Sequence, residues 1–385
     1  MKLLVISNNY IIKKDGKCYC EPNFYHILKR FSYMGELSLC ALPREEASTY
    51  IELDFVLPEN VYYIKKARVL PLLSNCKVLK KAVAGCDMVI GYNPCVNAEA
   101  ALLYTRRYGK KYMTYLVACA WGSLWYHSLF GKLSAPLRYL SVRATTKMSD
   151  YVLYVTEKFL QGRYPNSRIN TGCSDVYISM PEESVLSARL QRIQSMNERS
   201  YKKIATIGSV EVRYKGQEYV IKALGKLKRE GKCMFEYYLI GGGDSRYLKK
   251  IAEDNGVADR VFFMGQQPFE KIPEILDGMD IYIQPSLTEG LPRSIVEAMS
   301  RGLTCYGSRV GGIPELLEHE FTFEKKSVRQ IAQYLGSITP TILHEQSVRN
   351  AKKATEYDNL TLDSKRKEFF DTVMRDIKIR DNYGL

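Results

Sequence analysis

The sequence of 385 residues lacks any long hydrophobic run. No stretch approaches the roughly eighteen uncharged apolar residues that are needed to cross a bilayer. The apolar run at the start, residues 2–7, is too short for the core of a signal peptide and is predicted to be a buried strand. These absences predict a cytoplasmic protein, either free or peripheral at the inner face of the membrane.

Paired cysteines and biased segments are also missing. The ten cysteines are scattered, with only Cys18 and Cys20 close together, and no Cys-x-x-Cys spacing indicates zinc binding or redox chemistry. We therefore expect reduced and mostly buried thiols. No tract of low complexity occurs, and 46% hydrophobic and 25% charged residues are typical of a globular protein. A chain of this length is predicted to form two domains.

Acidic residues are scarce in the first half of the chain. Residues 1–172 contain 24 Lys or Arg and 12 Asp or Glu, whereas residues 173–385 contain 32 and 30. Almost all of the net charge of +14 therefore belongs to the first half. A basic surface favours anionic partners such as phospholipid headgroups, lipid diphosphates or nucleic acid. A solvated face without a partner explains the excess equally well.

Short apolar runs alternate with segments of helical spacing along the chain. The runs are continuous, which predicts an α/β fold with parallel sheets covered on both faces. The predicted strands are residues 2–7, 37–42, 87–92, 112–118 and 151–156, then 204–208, 236–240, 261–264, 281–284, 304–306 and 321–323. Helical spacing is shown by Phe24, Ile27, Leu28 and Phe31, and by Leu133, Leu137 and Leu140.

The alternation breaks at residues 170–181 and restarts afterwards with about six strands. Residues 171–175 are predicted to form a loop, and Pro181 is predicted to open a polar helix that runs to about Met196. We place the domain boundary at this break. The N-terminal domain is then residues 1–175 and the C-terminal domain residues 176–363.

The tail, residues 364–385, follows a polar stretch at residues 357–363. Its apolar residues have helical spacing, and it is predicted to pack as a closing helix. These residues are Phe369, Phe370, Val373 and Ile377.

The segment 285–302 carries the strongest functional pattern. It follows a predicted strand, has Pro292 at a plausible first helical position, and ends with Gly302 as a helix stop. A strand, a tight turn and a helix start form an anion site, because unpaired amides and the helix dipole favour a diphosphate. Gly290, Leu291 and Pro292 are therefore candidate diphosphate-binding residues.

Two glutamates accompany this turn. Glu297 lies five residues beyond Pro292, about 7 to 8 Å into the helix, where a carboxylate is placed to accept hydrogen bonds from ribose hydroxyls. Glu289 lies in the loop, facing the crevice. A structural role for either glutamate is the alternative.

The setting Pro-Ser-x-x-Glu-Gly-Leu-Pro-x-Ser-x-x-Glu-Ala-Met around Glu289 and Glu297 resembles the paired-glutamate signature of family 4 glycosyltransferases. The resemblance is strong over residues 204–318. It implies the GT-B fold, two Rossmann-like domains facing a cleft, with acceptor binding in the first and nucleotide-sugar binding in the second. It also implies that the transferred sugar keeps its anomeric configuration.

Further site residues follow from the same resemblance. Residues 208–216 look like the family's phosphate-clamp loop, in which Lys215, before Gly216, contacts the donor diphosphate. The family often has an Arg where this chain has Ser209, so a second cation must come from Arg213 or be missing. The turn before Pro268 resembles the loop that receives the nucleobase, which makes the main chain of Gln267 a candidate. For the glycine pair 311–312, a turn or packing role is at least as plausible as ligand contact.

The resemblance implies a reaction that breaks a sugar–phosphate bond. Lys215 and the helix start near Leu291 would stabilise the departing diphosphate, and Glu289 would orient sugar hydroxyls and support positive charge on the sugar. No Asp-x-Asp triplet occurs, so a metal-bridged diphosphate is unsupported and no metal is expected. The expected co-substrate is a UDP- or GDP-linked sugar.

The first half offers weaker candidates. Related transferases often place a His near the sugar, which makes His127 a candidate catalytic residue; a surface or core His is the alternative. The aromatic cluster nearby has three possible roles: stacking on the face of a sugar, contact at an interface, or packing in the hydrophobic core. Its members are Trp121, Trp125, Tyr126 and Phe130. A candidate contact with the cytoplasmic leaflet is formed by Lys65, Lys66, Arg68, Lys77, Lys80 and Lys81, which flank apolar residues.

Residues 155–165 resemble stretches in bacterial capsule and lipopolysaccharide transferases, which implies surface polysaccharide synthesis on a glycan or polyprenyl-linked acceptor. A nucleotide-sugar epimerase or a phosphorylase of the same fold is an alternative, although no pyridoxal-binding Lys context is found. A catalytically silent glycan or nucleic-acid binder is another. Against nucleic acid, no helix-turn-helix, RNA-binding or zinc motif occurs.

Overall fold

The computed structural model describes residues 1–45, 50–70, 72–126, 128–196 and 201–383. The chain divides into two units, Met1–Asp175 with Ser364–Leu385, and Val176–Asp363. In the described part of the chain, no helix is both long and apolar enough to cross a membrane.

Most strands of the first unit lie where continuous apolar runs occur, as predicted. The strands of this unit are β1 Lys2–Lys14, β2 Lys17–Cys20, β3 Glu36–Pro43, β4 Ile51–Glu52, β5 Val61–Tyr63, β6 Met88–Asn93, β7 Lys111–Leu116, β8 Tyr151–Tyr154 and β9 Ile169–Gly172. Its helices are α1 Pro22–Phe31, α2 Leu73–Ala84, α3 Val96–Arg107, α4 Ala120–Trp125, α5 Leu129–Met148 and α6 Phe159–Arg163.

The second unit contains all six strands predicted for it. Its strands are β10 Lys202–Ile207, β11 Phe235–Ile240, β12 Val261–Gly265, β13 Ile281–Gln284, β14 Thr304–Ser308 and β15 Thr322–Phe323. Its helices are α7 Glu183–Gln194, α8 Gln217–Arg229, α9 Arg246–Asp254, α10 Ile272–Asp277, α11 Arg293–Ser300, α12 Ile313–Leu316, α13 Val328–Gly336 and α14 Pro340–Ala354. The last helix, α15 Asn359–Tyr383, begins in this unit and passes into the first.

Parallel strands of the first unit run in the order β5-β3-β1-β6-β7-β8-β9 within the described residues. The sequence analysis missed an antiparallel addition to this sheet. The chain reverses at Asp15-Gly16, where both residues have positive φ, and β2 pairs with the far end of β1. Asp-Gly is a favoured two-residue hairpin turn, so the signal was present in the sequence.

Two other boundaries differ from prediction. The loop expected at residues 171–175 is in part strand β9, which ends at Gly172 and pairs with β8. The polar stretch before the closing helix is also helical, because α15 already begins at Asn359. In the tail, Phe369, Phe370 and Val373 are buried, and the Phe370 ring lies 5.7 Å from that of Phe31.

Helix α5 forms where helical spacing predicts it. A row of leucines would ordinarily mark the buried side of a helix, but α5 buries the opposite side. Leu133, Leu137 and Leu140 are exposed. The buried side carries mostly small and polar residues, and Arg138 there forms an ion pair with Glu99 of α3. Small side chains allow close helix packing, and a buried ion pair requires both partners to stay in place. The large apolar side chains are therefore left outside.

The cysteines are free thiols, and all except Cys76 and Cys233 are buried, as expected. Burial raises the pKa of the Cys20 thiol to about 12, with smaller contributions from nearby groups. Such thiols are structural rather than reactive.

In the second unit the strands are all parallel, and their order is β12-β11-β10-β13-β14-β15 among the described residues. From β10 the chain first builds outward through β11 and β12, then returns to the other side of β10 with β13. The loops that follow β10 and β13 therefore leave the carboxyl edge of the sheet in opposite directions. Such a switch point opens a crevice in which ligands of α/β sheets bind.

Arg189 of α7 fixes the ends of two helices near this sheet. Its buried guanidinium donates to the carbonyl oxygens of Leu276, at 3.0 Å, of Met279 and of Arg301. These carbonyls end α10 and α11, where unpaired acceptors and the negative end of the helix dipole favour a cation.

We expect Arg189→Ala to lower the free energy of unfolding of the protein by about 2 to 4 kcal/mol, because buried carbonyls lose their donor. Urea denaturation monitored by circular dichroism measures the change. Arg229→Ala, at an exposed position of α8, is the control and should change stability by less than about 0.5 kcal/mol. Equal stability of the two variants would contradict the capping role.

Candidate functional site

The segment 285–302 folds as a loop between β13 and α11. Helix α11 begins at Arg293, so Pro292 is the residue that caps it and not the first helical residue as predicted. The difference of one position lies within the ordinary ambiguity of helix ends. Gly302 follows the helix with φ 66°, and its amide donates to the carbonyl of Met299 at 2.9 Å, which confirms the helix stop.

Three donors converge on one oxygen of Glu289. Its Oε1 accepts hydrogen bonds from Lys215 Nζ at 2.8 Å, from Gln284 Nε2 at 2.9 Å and from Ser286 Oγ at 2.6 Å. The carboxylate is thus held in one orientation. Lys215 and Glu289 are 74 residues apart in the chain and form a direct ion pair.

Gln284 and Ser286 are site residues that the sequence analysis missed. Both are fully buried. Tyr282 donates from its hydroxyl to Gln284 Oε1 at 2.6 Å, and the Ile207 amide of β10 donates to the Tyr282 hydroxyl at 3.3 Å. The signal was a glutamine at the end of an otherwise apolar strand, since a buried amide needs partners for both its ends.

Lys215 reaches this position because its loop is pinned to the Glu289 loop. The Leu287 amide donates to the Tyr214 carbonyl at 2.7 Å. Gly216 has φ 72°, and a Cβ there would lie 2.0 Å from the Pro285 carbonyl oxygen, so the close approach requires glycine. Burial disfavours the ammonium, but the Glu289 carboxylate reverses this effect, and the pKa of Lys215 lies above its ordinary value of 10.5.

The glycine pair 311–312 supports the Glu289 loop from its other side. The Gly312 amide donates to the Gly290 carbonyl at 2.6 Å. Gly311 has φ 60°, and a Cβ there would lie 2.3 Å from the Glu289 carbonyl oxygen. Of the two roles considered for this pair, packing is the one the contacts support.

Arg213 and Gln267 contact other groups. The Arg213 guanidinium lies over the Tyr247 ring, 4.3 Å from its centroid, and is exposed. Gln267 donates from its side chain to the Met264 carbonyl at 2.6 Å, which folds the side chain back on its own loop. That loop is joined to the neighbouring one, because the Gly241 amide donates to the Gly265 carbonyl at 2.9 Å.

Glu297 is half-buried on α11, one turn from Arg293. Burial raises the pKa of the Glu297 carboxyl above its ordinary value of 4.5, and the charge of Arg293 reduces that rise. Among the described residues, no hydrogen bond or ion pair reaches its carboxylate. An acceptor that is desolvated and has no protein partner can bind a hydroxyl of a ligand.

A separate cavity of about 390 Å³ lies in the first unit. Its lining includes Asn8, which lies just beyond the part of β1 that pairs with β6, and Pro94, which follows β6, together with the cationic Lys66 and Arg68. It therefore occupies the carboxyl edge of this sheet beside the switch point between β1 and β6. Asn8 Oδ1 is buried and has no hydrogen-bond partner within the described part of the chain.

Of the aromatic candidates in the first half, Phe130 lines this cavity, whereas Trp121 and Trp125 are not among its lining residues. His127 lies outside the residues that the structure describes. The Trp121 and Trp125 rings stack on each other, with centroids 5.2 Å apart, and are half-buried, while Phe130 is exposed. The cluster is therefore not plain core. In the described ranges, no group of three His, Cys, Asp or Glu is placed to hold a metal, and metal independence stays a prediction.

Comparison with known proteins identifies the family. The sequence profile described as "Glycosyl transferases group 1" matches residues 201–339. Protein CapJ of Staphylococcus aureus is 32% identical over 284 residues, which are 71% of this chain and 68% of CapJ. The amylovoran biosynthesis glycosyltransferase AmsK of Erwinia amylovora is 43% identical over 112 residues, 27% of each chain.

A solved structure supports the fold. HepE of Anabaena, crystallised with UDP, is similar with a TM-score of 0.66 at 16% identity, over 97% of this chain and 100% of HepE. The two parallel-sheet units agree with the GT-B fold of such transferases. By its profile match, its similarity to CapJ and its paired glutamates, the chain belongs to the group 1 glycosyltransferases, the family 4 enzymes of GT-B fold.

Proposed function

We propose that this glycosyltransferase moves a hexosyl or related sugar from a nucleoside-diphosphate donor to a glycan or lipid-linked acceptor, with retention of anomeric configuration. The observation that carries the proposal is the contact between the Lys215 ammonium and Glu289 Oε1, beside the start of α11. The Lys215 ammonium neutralises the departing phosphate, and the Glu289 carboxylate stabilises positive charge on the sugar. The chemistry needs both at the same bond.

Lys215 is the principal cation of the proposed donor site. Its ammonium and the helix start that follows Gly290 and Leu291 act on the leaving diphosphate, which gains negative charge as the bond breaks. These groups supply the positive charge, so the proposal includes no metal. Arg213 stacks on Tyr247 and is assigned a secondary role at the rim.

Glu289 has one oxygen in use and one available. In the described residues its hydrogen bonds all reach Oε1. Oε2 can therefore accept a hydroxyl of the transferred sugar while the fixed orientation places negative charge beside the anomeric carbon. Glu297 is assigned to the ribose hydroxyls, and the main chain of Gln267 to the base.

Retention follows if the acceptor attacks from the face that the phosphate leaves. The bond from the anomeric carbon to the phosphate oxygen breaks, and the acceptor oxygen bonds to the same carbon. The acceptor proton passes to the departing phosphate oxygen, so the products are a glycoside and a nucleoside diphosphate. No further base is required, and His127 enters the proposal only as a residue that positions the sugar.

The donor and pathway are proposed from similar proteins. HepE was crystallised with UDP and with UDP-glucose, which favours a uridine donor. AmsK is named for amylovoran biosynthesis, and a similar Escherichia coli protein, WcaL, for colanic acid biosynthesis, so we propose surface polysaccharide synthesis here. The cavity beside Asn8 and Arg68 is assigned to the acceptor. We also propose peripheral contact of the basic first unit with the inner leaflet.

We expect Lys215→Ala to weaken donor binding and turnover together, each by about tenfold or more. The reason is that a charged hydrogen bond to phosphate is lost both in the donor complex and in the transition state. Thermal shift with UDP, GDP and their sugars first identifies the base, and kinetics with the best donor follow. Lys222→Ala, which breaks the partly exposed Glu218 pair, is the matched control. Kinetics unchanged within about twofold in Lys215→Ala would refute the placement.

Glu289→Gln should reduce kcat by about a hundredfold while the affinity for the nucleoside diphosphate changes by less than about threefold, because the charge acts mainly in the transition state. Product formation and nucleotide titration measure the two quantities separately. The control is Glu253→Gln at an exposed position of α9. A catalytically silent binder would form no product in any variant, which distinguishes that alternative.

Glu297→Gln should stabilise the ligand-free protein at about pH 7.5 and leave its stability nearly unchanged near pH 4. In the folded protein the pKa of Glu297 lies above its ordinary value of 4.5. The contribution of this carboxyl group to stability is therefore complete below pH 4.5, and it is lost as the pH rises through the pKa of the folded state. Glutamine cannot ionise and removes that loss. Thermal denaturation at the two pH values measures the change, and donor affinity should fall by about tenfold. A variant that is stabilised but keeps its donor affinity would show that Glu297 does not bind the ribose.

A further inference from the structure

The outer side of α5 carries large apolar side chains in water. Its residues Leu129, Phe130, Leu133, Leu137 and Leu140 have relative exposures between 59% and 76%. Positions three and four residues apart lie on one side of a helix, so these side chains form a continuous stripe. Soluble proteins rarely expose apolar patches of this size without a partner.

The segment of the chain that contains this stripe carries charge of one sign. Between Glu99 and Asp150 the sequence contains eight Lys or Arg and no acidic residue. Lys132, Arg143 and Lys147 lie on the exposed side of α5, and none has an acidic partner within the described residues. The helix therefore presents apolar side chains with cations beside them.

A second segment of similar composition meets the start of α5 at the cavity described above. Between Glu59 and Asp87 there are six Lys or Arg and again no acidic residue, and Leu70, Leu72 and Leu73 are exposed. This segment and the start of α5 line the same cavity, through Arg68 on one side and Phe130 on the other. We call the exposed side of α5, together with the exposed residues among 65–70 and 72–73, the apolar-basic face.

We propose that the apolar-basic face docks on the surface of an anionic phospholipid bilayer. A helix of twenty residues, about 30 Å long, can lie in the plane of the interface, with leucines among the acyl chains and cations at the headgroups. Lys and Arg near such a surface each add attraction to anionic lipid. Both components of this binding mode are present on one side of one unit.

The charge pattern disfavours other occupants. A second copy would bring two cationic faces together without acidic residues to pair with them, and like charges oppose that contact. Nucleic acid would satisfy the cations but leave the leucine stripe in water. An anionic bilayer satisfies both.

Docking would place the acceptor cavity at the membrane. This consequence rests on the proposed function: a lipid-linked acceptor would enter the cavity beside Asn8 directly from the bilayer, without passing through water. Membrane binding itself needs neither donor nor turnover. Its failure and the failure of the proposed chemistry are therefore distinguishable.

The test is co-sedimentation of the full-length protein with vesicles of phosphatidylcholine alone and with about 30% phosphatidylglycerol. The wild-type protein should bind the anionic vesicles, and binding should weaken when salt rises to about 1 M, where the Debye length is about 3 Å. The triple variant Leu133→Ser, Leu137→Ser, Leu140→Ser should lose at least about tenfold in partition coefficient. The triple variant Lys132→Gln, Arg143→Gln, Lys147→Gln should lose about tenfold on anionic vesicles.

Matched controls are exposed residues of the second unit. Leu360→Ser with Val348→Ser, and Lys232→Gln with Lys271→Gln and Lys352→Gln, should bind vesicles like the wild type. Thermal denaturation and donor binding check that each variant is folded. Equal sedimentation of the leucine variant and its control would overturn the proposal. A wild-type dimer that the leucine variant converts to a monomer, with no vesicle binding by either, would overturn it in favour of self-association.

Discussion

A carboxylate at the edge of a buried sheet is stable only when its charge has donors, and Glu289 has three on one oxygen. Lys215, Gln284 and Ser286 come from two loops and one strand end, and each is held by further hydrogen bonds or by a close backbone contact. Removing a buried charge's partners costs more than the bonds themselves contribute. The loops around the site are therefore fixed by the same contacts that orient the group proposed to act on the sugar.

The topology of the second sheet explains why these loops meet. Strand β10 lies between β11 and β13, so the loops after β10 and β13 flank the switch point. Lys215 and Glu289 lie on these loops and come together although 74 residues separate them. Gly216 and Gly311 allow the backbones to approach closely on the two sides of the Glu289 loop.

The first unit shows how packing can reverse the meaning of a hydrophobic pattern. Helix α5 buries Ala135, Val142 and the Arg138 ion pair with Glu99, while its leucines remain outside. Small residues bring helices close, and the ion pair is costly to separate once buried. Because this side packs inward, an apolar stripe is exposed beside cations that have no acidic partner among the described residues.

The sequence by itself determined the parallel α/β class, the strands of both sheets that have continuous apolar runs, the family and the loop that carries Glu289. These follow from local patterns, because strand runs, helix caps and motifs involve residues close in the chain. The antiparallel hairpin at Asp15-Gly16 was also readable, although it was missed. Only the tertiary structure decided that Gln284 and Ser286 share Glu289 with Lys215, and that Leu133, Leu137 and Leu140 face outward. Such contacts depend on strand order and on which side of a helix packs better, and neither is encoded by the spacing of residues along one segment.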